Sequence, residues 1–268
     1  MRTNRHFLFI LLLVLVTSPI FAQGISMSPT RVFFTGNPGE TVTETVILHN
    51  SSRNDYIFDI NYKDWKRELD GNKLYFEQNT LENSNATWLS TLENTVSVPA
   101  GTTMEVLVTM QIPEDASASE VTNSMLFFTQ LPTQEDKTTS NSTGLGIITL
   151  FEFGLHIYYT PPSNDVKSLE ITNIEEIVGE DDTLNKVAIS ITNDGNVIND
   201  ATVEFELTNT NTGEEIKLKP ISISMMPNTD QVVEFSLPEG ISGEYLGVTI
   251  IKMAGTNDMR VGEKTFTF

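Results

Sequence analysis

The sequence predicts an all-β chain folded as two β-sandwich domains. Three observations carry this: short segments alternating apolar and polar residues with period two, turn residues between them, and a proline pair near residue 160. Successive strand side chains point to opposite faces, so alternation lets one face pack while the other meets water. Residues 41–48 (TVTETVIL) set Val42, Val46 and Leu48 against polar neighbours. Residues 56–62 (YIFDINY) alternate likewise, and residues 103–112 (TMEVLVTMQI) place Met104, Val106, Val108 and Met110 on one face. Residues 124–131 and 147–159 are richer in aromatic and branched residues, which suit half-buried strands. Asn37-Pro38-Gly39, Asn50-Ser51-Ser52, Asp70-Gly71-Asn72 and Pro99-Ala100-Gly101 supply the turns. No long stretch carries a helical apolar period.

A break is expected at Thr160-Pro161-Pro162-Ser163-Asn164-Asp165. Proline gives no N–H to a ladder and forces the preceding residue extended. Beyond it, strand-like segments recur at residues 168–177, 186–192, 202–207, 215–218, 231–237, 244–252 and 263–268. The division expected is a leader over residues 1–22, a first domain over 23–162 and a second over 163–268.

Residues 1–22 have the composition of a secretory signal. Arg2, Arg5 and His6 precede an apolar run from Phe7 to Val16, and Ala22 offers a cleavage site. Ten apolar residues are well short of the roughly 18 or more that a spanning helix needs. Cleavage would leave 246 of the 268 residues and move the net charge from −20 to −22, since the leader carries two Arg and no acid. Export to the periplasm is expected, with the cell surface as the alternative. So acidic a chain is poorly suited to nucleic acid or anionic lipid. With no cysteine it has neither disulfide nor thiolate chemistry.

Catalytic signals are wanting, so an enzyme is not expected. After the leader only His49 and His156 remain as histidines, neither within a Gly-x-Ser-x-Gly or His-Glu-x-x-His pattern. Glu180-Asp181-Asp182 lacks the spaced acids and central glycine of a calcium loop and reads as a solvated turn. Neither a metal nor a cofactor is expected. The Asn-x-Ser/Thr triplets at Asn50, Asn85 and Asn141 read as surface loops. Trp65, Trp88, Phe127 and Phe128 read as packing anchors. Phe33 and Phe34 must face opposite ways, so one is expected to reach a surface or a partner. Residues 133–143 (TQEDKTTSNST), free of apolar side chains, read as a mobile loop.

Four stretches in order resemble the first domain of the PapD-like pilus chaperones: residues 25–34 (ISMSPTRVFF), 96–113 (VSVPAGTTMEVLVTMQIP), 124–132 (SMLFFTQLP) and 146–161 (GIITLFEFGLHIYYTP). The resemblance implies two immunoglobulin-like β-sandwich domains joined by a short proline-containing linker. It also implies a periplasmic chaperone that caps pilin-like or surface-fibre subunits by donating an edge strand, with an outer-membrane assembly platform as a further partner. Strand donation is β-augmentation, in which backbone bonds give affinity and side-chain pockets give register. Carried over by position, the donor strand falls on Ile147, Thr149 and Phe151, with Ile148 and Leu150 on the opposite face. The anchor for the subunit's terminal carboxylate falls on Arg31 and His156, the latter where the family usually has lysine. The positions of the family's interdomain ion pair hold Asn123 and Thr160. The second domain matches the family poorly and reads as a generic immunoglobulin-like or fibronectin-like module. The rival reading is a structural or adhesive surface protein built from the same modules.

Overall fold

The computed structural model describes residues 24–132, 149–177 and 186–268. The expected leader, the polar stretch 133–143 and the acidic triplet 180–182 lie outside the described residues.

Within the described residues the chain forms β1 (Ile25–Ser28), β2 (Arg31–Phe34), β3 (Thr41–Asn50), β4 (Tyr56–Arg67), β5 (Lys73–Glu77), β6 (Leu89–Thr91), β7 (Thr95–Val98), β8 (Thr103–Gln111), β9 (Thr122–Gln130) and β10 (Glu152–Tyr159). Then come β11 (Glu170–Ile177), β12 (Lys186–Thr192), β13 (Asn199–Asn209), β14 (Glu215–Lys217), β15 (Ile221–Met225), β16 (Asp230–Ser236), β17 (Glu244–Met253) and β18 (Met259–Thr267). One 3-10 turn, Ala86–Trp88, interrupts the strands.

The first sandwich faces a sheet of order β1-β3-β8-β6 against one of order β2-β10-β9-β4-β5, with β7 also paired to β4. The second faces β11-β12-β16 against β14-β13-β17-β18, with β15 on β13. Among the described residues no ladder joins a strand before β11 to one after β10. Between β1 and β2 the chain changes sheet across a cis Ser28–Pro29 bond.

Period-two patterning builds each core. Along β3, Val46 and Leu48 are buried while Ile47 and His49 face out. Val106, Val108 and Met110 of β8 meet them, along with Phe58, Phe128, Leu155 and Ile157 from the opposite sheet. The second core gathers around Ile189, Val203, Phe205, Phe235 and Ile251. Phe34 is buried and Phe33 is 49% exposed, the split that strand geometry requires.

Strand β9 explains its own unbroken apolar run. Leu126 and Phe128 enter the first core, while Met125 and Phe127 point the other way, into a cluster with Trp65 and Tyr158. Ile198 and Met226 of the second sandwich close that cluster. Burial of each such side chain is worth about 1.5–3 kcal/mol, so this seam is the main apolar tie between the sandwiches. Polar contacts flank it: Val232 N–H donates to the Leu69 carbonyl at 2.6 Å, and Asn164 Nδ2 donates to Ser119 and Asn196 carbonyls at 2.8 and 2.7 Å.

Several expectations need correcting. Asn50 and Asn85 are fully buried rather than on surface loops. Asn50 Oδ1 accepts from the Ser52 N–H at 2.9 Å, and its Nδ2 donates to the Val98 carbonyl at 2.9 Å, so the side chain stitches a turn to the core. Trp65 is an anchor of the seam between the sandwiches, and Phe127 packs on Tyr75 on the same outer face; neither belongs to the first core. Of the strand expected over residues 147–159, the described residues 149–151 precede the ladder, which starts at Glu152.

Candidate functional site

Strand β10 is the element that positions the site. On one side it pairs antiparallel with β9 along its whole length. On the other it pairs in parallel with β2, but only from His156↔Arg31 to Tyr159↔Phe34. Strand β2 has four residues, so among the described residues the first half of β10 is left as a sheet edge.

The ladder fixes which groups are open. Gln130 N–H donates to the Phe151 carbonyl at 2.8 Å, and His156 N–H donates to the Thr30 carbonyl at 3.1 Å. Antiparallel pairs alternate between bonded and open sides, so odd-numbered residues of β10 bond to β9 and even-numbered ones face away. The N–H and C=O of Glu152 and Gly154 therefore point out of the open edge. Beside them Leu150 is 44% and Phe151 37% exposed. Phe151 packs edge-on to Tyr56 at 5.8 Å and stacks near Phe153 at 6.1 Å, and Phe153 in turn meets Phe58 at 5.8 Å. An apolar edge with free backbone groups is a template for another strand.

A basic cluster lies at the end of this edge. Arg31 and His156 are direct neighbours in the parallel ladder. Arg31 Nη1 donates to Asp200 Oδ1 of the second sandwich at 2.7 Å, and the guanidinium lies 5.5 Å over the Phe33 ring. Hydrogen bonding to Asp200 raises the Arg31 pKa. Burial by itself would raise Asp200, but hydrogen bonds from Arg31 and Ser224 together with the Arg31 charge leave it below the ordinary carboxylate value.

His156 behaves differently. Its ring stacks on Tyr158 at 5.8 Å and meets Trp65 edge-on at 4.4 Å. Burial first, then the charges of Lys73, Arg67 and Arg31, drive its pKa down to about 3. It is neutral at physiological pH. Lys73 Nζ lies 2.8 Å from His156 Nε2, so the ammonium donates, Nε2 accepts, and the imidazole proton sits on Nδ1. Burial and the charge of Arg67 lower the Lys73 pKa.

Arg67 and Lys73 are register partners across the β4–β5 hairpin, and each places its charge 5.8 Å from the Trp65 ring. Arg67 Nη1 donates to the Gly71 carbonyl at 2.7 Å. Among the described residues neither cation has an acidic partner, in a chain of net charge −20. Arg31 and Arg67 open onto a cleft of about 550 Å³ walled by Asp200, Ser224 and Gln231 of the second sandwich.

The structure thus brings Arg31 and His156 together, and puts Thr149, Leu150 and Phe151 at the start of the open edge. Ile147 and Ile148 lie outside the described residues. Sequence reasoning missed Lys73, Arg67 and Asp200. Only the pair of cations flanking Asp70-Gly71-Asn72 hinted at the first two. The interdomain ion pair lacking at Asn123 and Thr160 is made instead by Arg31 and Asp200, while Asn123 is buried and donates to the Trp65 carbonyl at 3.2 Å. His49 is exposed near the end of β3, bonded to Thr103 Oγ1 at 2.9 Å. Among the described residues no group of three or more acidic or histidine side chains is placed to hold a metal, and no helix is long and apolar enough to cross a membrane.

No protein-family model matches the chain, and no curated protein matches it in sequence. Solved structures match its fold. The crystal structure of the class 5 fimbriae chaperone CfaA aligns with a TM-score of 0.50 at 14% identity, covering 90% of this chain and 99% of that one. The YadV chaperone aligns with a TM-score of 0.50 at 11% identity, again over 90% of this chain and 99% of its own. At these identities the likeness is one of architecture, and it spans both sandwiches: the chain has the two-domain β-sandwich fold of these two chaperones.

Proposed function

We propose that the chain is an exported, non-enzymatic chaperone that caps pilin-like or surface-fibre subunits by lending them the edge of β10. The observation that carries this reading is the open half of β10, where the backbone groups of Glu152 and Gly154 face outward beside Leu150, Phe151 and Phe153. Backbone bonding to an incoming strand supplies affinity there, and the row of aromatic side chains supplies register. Arg31 and His156, at the far end of the same edge, form the core of an anchor for the subunit's terminal carboxylate. The fold shared with CfaA and YadV supports the same role, as does the cleft between the sandwiches. The periplasm is the compartment in which such a client is met, with an outer-membrane platform to receive it.

A binding titration tests the reading. A ten-residue peptide of alternating apolar residues with a free C-terminal carboxylate is expected to bind the full chain. The same peptide N-methylated at every second residue is expected to lose binding by at least tenfold, because methylation removes one row of ladder donors. Equal binding of both peptides would reject strand addition and favour the surface-module reading.

A further inference from the structure

Resting on the strand-capping reading, we propose that the second cation of the carboxylate anchor is Lys73, seated on His156 as a neutral acceptor, with Arg67 completing the site. A client carboxylate offers two oxygens, and a stable grip needs donors converging from two sides. Arg31 supplies one side, though one of its N–H groups is already given to Asp200. An ammonium has three donors, and Lys73 spends one on His156 Nε2. Two remain, on a side chain that no acid among the described residues neutralises.

The hairpin explains how this lysine gets there. Strand β4 runs on from Trp65 to Arg67, turns at Asp70-Gly71-Asn72, and returns through Lys73. The Arg67↔Lys73 pairing sets both cations over Trp65, within reach of His156 on β10. Like charges so close repel each other unless an anion joins them. The anion that fits is a single carboxylate at a strand end. The cluster abuts the open strand edge, and the strongly negative remainder of the chain disfavours a polyanion.

His156 acts here as a positioning residue. Arg31 from β2, Arg67 and Trp65 from β4, Lys73 from β5 and Tyr158 from its own strand surround it, and Asp200 of the second sandwich is held by Arg31. Burial first, and then the charges of Lys73, Arg67 and Arg31, keep the ring neutral and leave Nε2 able to accept. A neutral imidazole could still donate one N–H to a carboxylate, but it would bring no charge to the grip, which the two cations beside it supply.

The test compares an acid-ended strand peptide with its C-terminal amide on the full chain, reading the ratio of the two dissociation constants. Lys73→Gln is expected to cut the acid preference by about tenfold, the scale of a lost charge-assisted bond. His156→Leu is expected to cut it as well, and His156→Gln, which restores an acceptor oxygen, to recover most of it. Between pH 6 and 8 the wild-type ratio is expected to stay flat. An acid preference that survives Lys73→Gln but collapses in Arg31→Ala would overturn the role of Lys73 and leave strand capping intact. An acid preference that survives both would remove the carboxylate anchor altogether. A ratio that falls steeply as pH rises through about 6.5 would return the charge to His156.

Discussion

His156 faces Arg31 directly across the parallel β2–β10 ladder, yet the two side chains answer to different partners, Arg31 to Asp200 and His156 to Lys73. The first contact ties one sandwich to the other. The second collects charge at the end of an open strand edge. The same pair of backbone neighbours therefore links domain arrangement to ligand binding, and the two effects are separable by mutation.

Asp200→Asn removes the interdomain ion pair. Both side chains are 36% exposed, so the loss of stability is expected to stay below about 1 kcal/mol in urea unfolding. Arg31 is then relieved of a competing carboxylate, and the acid-ended peptide is expected to bind about 2- to 5-fold tighter. Weaker binding would mean that Asp200 chiefly orients Arg31.

The depressed pKa of His156 makes a stability prediction with a definite sign. The unfolded chain takes up a proton near pH 6.5, whereas the folded chain does so only near 3. Between these values the unfolded state binds more protons, so stability from this group is complete above about 6.5 and falls as pH drops through the window. The slope is at most about 1.4 kcal/mol per pH unit, and less because the ring is only partly buried. His156→Gln abolishes it. The drop in Tm from pH 7 to pH 5 is therefore expected to be smaller in the variant than in the wild type, and an equal or larger drop would contradict the burial of a neutral imidazole.

Trp65→Ala empties a seam rather than a sandwich core. Trp65 meets the His156 ring edge-on at 4.4 Å and Tyr158 at 6.3 Å, and it lines the gap between the sandwiches together with Ile198 and Met226. A cost of about 3–5 kcal/mol is expected. Because the lost contacts lie between the sandwiches, calorimetry is expected to show two transitions where the wild type shows one. A single transition, merely shifted down, would place the side chain's contribution inside the first sandwich.

Much of the fold was legible because β strands write their burial at period two. Strands β3, β8, β12, β16 and β17 fall close to where alternation puts them, and the Phe33–Phe34 split followed from geometry alone. What failed to show was anything set by distant neighbours. Arg31 and Asp200 stand 169 residues apart, and only the packing of one sandwich on the other makes them partners. Lys73 looked like an ordinary polar hairpin residue, since nothing local reveals that β5 lies beside the sheet's outer face next to His156. Asn50 and Asn85 misled in the opposite direction: an asparagine that serves a buried turn has the same local sequence as one on a loop. Strand β15 went unread because Ile221 and Ile223 are too few to establish a period on their own.

Amide hydrogen exchange of the full chain, with and without the acid-ended strand peptide, tests the strand-capping reading most directly. Glu152 and Gly154 have backbone N–H groups that face the open side of β10, whereas those of Phe153 and Leu155 already bond to β9. The peptide is expected to slow exchange at Glu152 and Gly154 while changing Phe153 and Leu155 little. Binding without any protection at Glu152 and Gly154 would contradict it, because the incoming strand would then have to lie somewhere other than this edge.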